Sequence, residues 1–456
     1  MAATGRKGRL GHGSAAAVAT LAMVGAAGGA HASGYQVREQ SAVGQGVSFA
    51  GSAARGDDPS TMFFNPAAMA WLPGTQAVVL GSGIFPTAEV RSGSASRAAA
   101  LGGGPITGSL GDAGLDAFVP ALYGTTALAE DWRLGVSVTS PWGLVTKYPA
   151  DFIGRYHALT SSLKTFNIAP AVSWRPLPNL SLGAALQIQY ADARLSNAVD
   201  FGSVGFLNPQ LRALGFRPGA ADGRSTIDGD STAVGWQLGA QWEPLAGTRL
   251  GLGFRSAVFH DLAGEVRFEG VPAPLTPAFR GTGGRAKLTT PESLTFGVTH
   301  RVGERWTLLA GAEWTNWSRF RELVVRFDDG RAPSVTEQRW RDTWFLSAGT
   351  EYQASRDLAL RAGFAWDKTP VRDETRTPRI PDSDRYWLSV GASWRALPVS
   401  LPGMTLSAAY THVFADEGRV RLTDPGPGSS NFLRGNLSAD YSASVDILSV
   451  QARFAF

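Results

Sequence analysis

Segments of about ten residues with apolar and polar side chains in alternation recur along the chain from Gln76 to Phe456. Beyond the N-terminus no run approaches the ~18 consecutive apolar residues of a membrane-spanning helix. In the last segment Leu448, Val450, Ala452, Phe454 and Phe456 share one face, against Ser449, Gln451, Arg453 and Ala455 on the other. Trp306, Leu308, Ala310, Ala312 and Trp314 oppose Thr307, Gly311, Glu313 and Thr315, with Leu309 the exception. The pattern repeats in Val234 to Glu243, Leu358 to Asp367 and Tyr386 to Arg395, where Trp387 turns inward.

Soluble sandwiches also alternate, but their strands usually run ~5–6 residues and bury the apolar face against a second sheet. These segments are longer and carry aromatics at the ends of the apolar stripe, as Trp306/Trp314, Tyr386/Trp394 and Trp236/Trp242 do. Such placement matches the two aromatic girdles of an outer-membrane barrel. Small inward residues leave lumen space that a close-packed soluble core would not tolerate. The fold expected is therefore all-β, a transmembrane antiparallel β-barrel of about fourteen strands over 76–456. Long polar inserts at Arg91 to Gly114, Phe201 to Gly223, Gly270 to Gly284, Asp328 to Ser334, Val371 to Ser383 and Leu422 to Asn436 read as external loops. Short links at Ala129 to Asp131, Leu177 to Asn179 and Val302 to Glu304 read as periplasmic turns.

Residues 1–32 read as a cleaved export signal: Arg6, Lys7 and Arg9, an alanine-rich apolar run, then Ala30-His31-Ala32. Its removal takes away three basic residues and no acid, lowering the formal charge from +4 to +1, so nucleic acid is not an expected partner. With no cysteine, a disulfide framework, a zinc knuckle and a thiol nucleophile are excluded. No Gly-x-Ser-x-Gly elbow occurs, and the four histidines after the signal, His157, His260, His300 and His412, lie far apart. No catalytic residue, metal or cofactor is expected, and the chain is not read as an enzyme.

Residues 33–75 lack alternation and hold Phe63, Phe64, Met69 and Trp71, which a periplasmic tail would leave in water. A plug inside the lumen gives them partners.

Ser33-Gly34-Tyr35-Gln36, Gly44 with Gly46, the Asp57-Asp58 turn and Asn65-Pro66-Ala67 resemble the N-terminal hatch of the FadL family. These are long-chain fatty acid transporters of Gram-negative outer membranes, with aromatic-hydrocarbon channels of the TodX kind among them. The likeness continues through Thr139 to Leu144, Thr290 to Ser293, Trp314 to Phe320, Phe364 to Val371 and Ile380 to Ser389. It implies a hatch including Asn65, Pro66 and Ala67, a hydrophobic pocket beside it, and a kinked third strand at Pro141-Trp142-Gly143 that opens the wall sideways. Independently, Pro removes a ladder bond and Gly permits a bend there.

The resemblance also implies passive uptake of hydrophobic compounds, long-chain fatty acids first with aromatic hydrocarbons as the alternative, while a general porin or adhesin would share the barrel and stays open as a further alternative. Asn197 and Thr336 stand where basic residues are expected to hold a carboxylate, with Arg194, Arg339 and Arg341 nearby as candidate headgroup contacts. Asp367, Asp384 and Arg385 are expected as polar lumen residues near a strand mouth. Expected partners are the hydrophobic substrate, membrane lipid with lipopolysaccharide, and the barrel-assembly machinery reading the C-terminal strand that ends at Phe456. A monomer in the bacterial outer membrane is expected.

Overall fold

The computed structural model describes residues 34–395 and 402–456, so the signal-peptide reading lies outside the described residues. Twenty ladder segments form one antiparallel sheet, and six pairs of them continue one another across a kink, leaving fourteen strands. They are β1 (Gln76–Ser96), β2 (Ala117–Ala127), β3 (Trp132–Thr139 and Gly143–Lys147), β4 (Thr160–Leu177), β5 (Leu180–Asp200), β6 (Asp222–Leu245) and β7 (Thr248–Arg255 and Val258–Glu269). The second half comprises β8 (Thr282–Thr290 and Ser293–Val302), β9 (Trp306–Thr315 and Glu322–Phe327), β10 (Ser334–Glu337 and Thr343–Gln353), β11 (Leu358–Asp367), β12 (Arg385–Trp394), β13 (Met404–Ala415 and Gly418–Leu422) and β14 (Asn436–Ala455).

Pairing of β1 with β14, from Gln76 opposite Ala455 to Ser96 opposite Asn436, closes the barrel and removes both sheet edges. No described helix is long and apolar enough to cross a membrane. Crossing falls to strands whose outward side chains remain exposed although large and apolar, among them Val234, Leu238, Leu308, Leu388, Leu448 and Val450. Aromatics bound this stripe. Trp132 stacks on Trp174 with centroids 5.6 Å apart, and Trp306 lies 4.6 Å from Tyr352, all beside short turns. At the other end Trp314 is in register with Trp344, and Phe364 stacks on Tyr386. Trp306 to Trp314 covers roughly 26 Å along a strand at ~3.3 Å per residue, shortened by tilt to the thickness of the apolar band.

Two loop limits differ from the sequence reading. β1 runs on to Ser96 because β14 continues to offer backbone partners above the girdle, so the first external insert begins later than Arg91. Residues 148–159 form a further long connection, marked in the sequence by no break in polarity.

Residues 34–72 lie inside the barrel, and most are buried. Their backbone is met by inward side chains of the wall: Gln241 donates to the carbonyls of Ala53 and Arg55, and Gln237 and Arg255 to that of Phe63. The Ala42 amide donates to Gln451. Inward glycines make this approach possible. A Cβ at Gly251 would overlap Ala53, one at Gly239 the Asn65 side chain, and one at Gly363 the backbone of Val47 and Ser48. Gly239 is in register with Gly183 and Gly253, and Gly297 with Gly251 and Gly311, so the seat is a band across neighbouring strands.

Candidate substrate pocket and wall opening

The inner face of the wall changes character along its height. On β5 the inward residues run Gln187, Gln189, Ala191, Ala193, Leu195, while the outward ones run Leu186, Ile188, Tyr190, Asp192, Arg194. Above the girdle the strand is therefore apolar inside and charged outside. β7 repeats the inversion, with Leu262 and Val266 inward and Asp261, Glu265 and Arg267 outward. Several inverted strands enclose an apolar cavity of about 860 Å³ of empty space, its open mouth included, lined by Leu144, Leu163, Leu195, Ile227, Leu262 and Leu288 among others. That size accommodates a chain-like apolar ligand. Tyr35 from the N-terminal segment closes one side, and Arg379 with Ile380, from the loop after β11, closes another.

Beside this cavity the wall loses its pairing. The β2–β3 ladder ends at Leu122 opposite Val138, so Ala117 to Ala121 pair with β1 alone. β3 breaks at Ser140-Pro141-Trp142, and from Gly143 to Lys147 it pairs only with β4. The orphaned backbone is taken up by the N-terminal segment: Val37 N–H donates to Pro141 O at 2.9 Å, and Gly143 N–H to Tyr35 O at 2.8 Å. Gln40 donates its amide to Ser140 O at 3.0 Å, and Tyr123 donates its hydroxyl to Gln40 O at 2.7 Å. Unpaired buried backbone is costly, so one strand's missing partner is replaced by another segment of chain. The Tyr35 ring packs among Trp142, Trp317, Phe320 and Trp340 with centroids 4.7 to 5.9 Å away, which joins the break to the cavity.

Of the residues singled out in the sequence, Asn65 caps a short helical turn, accepting from Ala67 N–H and donating to Ala53 O and Ala240 O. Pro66 and Ala67 press against Gly183. Pro141, Trp142 and Gly143 form the break described above. Arg385 pairs with Asp367 at 3.0 Å and reaches Asp382 at 3.5 Å, and Asp382 accepts from the Gly34 backbone at 3.1 Å. Asp384 pairs with Lys368. Asp382, held by Arg385, thus anchors the start of the N-terminal segment, while Asp384 ties down the loop after β11.

The arginines expected near a headgroup sit elsewhere. Arg194 points outward and pairs with Asp228. Arg339 is exposed and pairs with Glu337, and Arg341 bonds to the backbone of Pro370 and Thr369. None of the three lines the cavity. The cavity's guanidinium, Arg379, belongs to a loop, and it donates to Asn197 Oδ1 at 3.3 Å. Burial, with Arg434 nearby, pulls its pKa down to about 9. Burial and the same two cations push His157, in the connection after β3, down to about 3. No alternation rule addresses a loop arginine, but the inversion of polarity on β5 and β7 was a readable sign of the cavity.

A closed barrel with a lipid-facing stripe, a filled lumen and an apolar pocket beside a wall break defines an outer-membrane transport protein for hydrophobic substrates. The chain belongs to the outer membrane protein transport family (OMPP1/FadL/TodX), whose model matches residues 23–456. It is 27% identical to a long-chain fatty acid transport protein of Escherichia coli over 80% of this chain and 84% of that one. It is 28% identical to outer membrane protein P1 of Haemophilus influenzae, over 83% and 86% of the two chains. The crystal structure of a Pseudomonas aeruginosa FadL homologue superposes with a TM-score of 0.84 at 25% identity, covering 93% of this chain and all, 100%, of that one. The toluene transporter TodX of Pseudomonas putida shares the fold, with a TM-score of 0.65 at 18% identity over 93% and 99%.

Proposed function

We propose that this protein is a passive uptake channel whose main cargo is long-chain fatty acids, with residues 33–75 acting as a plug within the barrel of 76–456 once a leader of 1–32 is removed. The observation that carries the reading is the contact between an apolar cavity and a break in the wall at Pro141-Trp142-Gly143. A long acyl chain held in the cavity has a short apolar path through the break into the bilayer, whereas the axial route leads through the N-terminal segment and into polar lumen around Arg55, Asp57 and Glu351. Displacement of Tyr35 to Val37 would open the sideways path. No energy source is needed for flow down a gradient.

Cells lacking their own channels of this kind, with and without this gene, should be compared for uptake of labelled oleate and labelled toluene. Oleate uptake alone is the expected result. Toluene uptake alone would move the assignment to aromatic hydrocarbons, and uptake of neither by a folded barrel would return it to a porin or adhesin. The filled lumen speaks against a wide, permanently open pore.

On the same reading the protein works as a monomer among lipid and lipopolysaccharide, and the strand ending at Phe456 is its signal to the barrel-assembly machinery. Phe456 is 83% exposed and packs against little. Its deletion is therefore expected to lower the amount of barrel in the outer membrane while leaving the thermal stability of the barrel that does insert unchanged. Lowered stability with normal insertion would contradict the signalling role.

A further inference from the structure

On the outer wall above the lipid-facing stripe, several arginines are bound to acids. Arg194 and Arg267 share Asp228, Arg421 pairs with Asp440, and Arg91 with Glu89. Three cations on β8 and β9 break this rule. The strand parity that turns Gly284, Ala286 and Leu288 toward the cavity turns Arg285 and Lys287 outward, and Arg326, in register with Arg285, shares that face. All three are exposed, and none has an ion pair or a hydrogen bond among the described residues.

Arg285 and Arg326 stand directly opposite each other. Like charges so placed, with Cβ atoms ~4.5–5.5 Å apart, repel and destabilise the strand pair unless an anion lies between them. Lys287 is the next outward residue on β8, ~7 Å along the strand, so three positive charges converge on one spot. Bordering acids do not neutralise them. Asp261, in register with Lys287, forms no ion pair with it, and Asp328 lies across Gly283 without bonding to either arginine. On the same face, two residues from Asp261 toward the membrane, Phe259 is 65% exposed. Side-by-side guanidinium forks match the oxygens of a phosphate ester, and the exposed ring beneath them suits a lipid.

We propose that Arg285, Arg326 and Lys287 form a docking site on the outer wall for lipopolysaccharide, with a headgroup phosphate bridging the two guanidiniums. The proposal rests on the placement of the barrel among lipopolysaccharide given above and fixes where on the wall the contact falls. β7 and β8 are joined by the long external connection 270–281, so the patch belongs to the outer-leaflet side. It lies across the wall from the cavity and is not a cargo site. A bound phosphate replaces the repulsion between the arginines by two charge-assisted contacts.

The test is equilibrium binding to the purified full-length barrel in detergent, with three probes: rough lipopolysaccharide, the same glycolipid after chemical removal of its phosphates, and phosphatidylglycerol. The parent is expected to prefer the phosphorylated glycolipid over each of the others by about tenfold or more. Arg285→Gln together with Arg326→Gln should bring the two glycolipids to equal affinity. Arg326→Glu should do the same and raise the thermal stability of the lipid-free barrel, because an acid then faces Arg285. Should the double variant fail to fold, Arg326→Glu reads the same ratio. Arg91→Gln with Arg419→Gln removes equal charge from arginines beside Glu89 and Glu417, and should leave the preference intact. A preference that survives in the double variant, an equal loss in the Arg91/Arg419 control, or phosphatidylglycerol bound as tightly as phosphorylated glycolipid would each overturn the site. Parent binding of both glycolipids with equal affinity would also overturn it while leaving the placement among lipopolysaccharide standing, whereas binding of neither would overturn that placement itself.

Discussion

A chain carrying Pro141→Thr together with Gly143→Val is expected to bind oleate as the parent does and to lose most of its uptake. Both substitutions favour extended, ladder-forming backbone where β3 now breaks, and Ala117 to Ala121 of β2 lie ready as partners. Two or three restored backbone bonds at ~1 kcal/mol each raise the free energy of opening by ~2–3 kcal/mol. At ~1.4 kcal/mol per factor of ten, flux should fall about 30- to 150-fold. The cavity loses no lining side chain to these changes, because its residues on this strand begin at Leu144. Uptake retained at the parent rate would argue against a lateral exit. A loss of binding together with uptake would show that the substitutions damage the cavity.

Gly363→Leu should unseat the N-terminal segment without unfolding the barrel. The substituted side chain would collide with the backbone of Val47 and Ser48, where Ser48 and Phe49 already adopt φ of 48° and 58°. Left-handed backbone at two successive non-glycine residues has little room to adjust. The bond from Ser48 to Ser389, at 2.7 Å, would break with the displacement. Overpacking of this kind costs ~1–3 kcal/mol, which raises the population of unseated protein by about 5- to 150-fold. Single-channel conductance should rise, and cells should become sensitive to large hydrophilic antibiotics, while the unheated protein keeps the electrophoretic mobility of a folded barrel. Gly124→Ala is the control, since its nearest neighbour stands at 3.8 Å. Unchanged conductance in Gly363→Leu would mean that the segment does not seal the lumen.

Several features were open to reading before any coordinates. Trp306 to Trp314 announces a lipid-crossing strand because the bilayer demands apolar side chains on one face only, and a two-residue period is the backbone's way of supplying them. Pro141 and Gly143 mark the break because one lacks a donor and the other a Cβ. The FadL resemblance, carried by runs such as Trp314 to Phe320, agrees with the family to which the chain belongs. Glu292 gives a physical meaning to two of those runs, since it accepts from Asn316 at 2.7 Å and pairs with Arg319 across adjacent strands.

Strand number, membrane orientation of side chains and the place of the kink were thus determined by the sequence alone, because each follows from local periodicity or from one residue's backbone chemistry. Only the tertiary structure decided where the pocket lies and which charge enters it. The cavity needs the inward faces of several strands to turn apolar at one height, and height is set by strand stagger around a closed barrel, a property of no single segment. Arg379 meets Asn197 across a separation of 182 residues, and Arg194, though nearer in sequence, faces outward because the pleat of β5 sends it there.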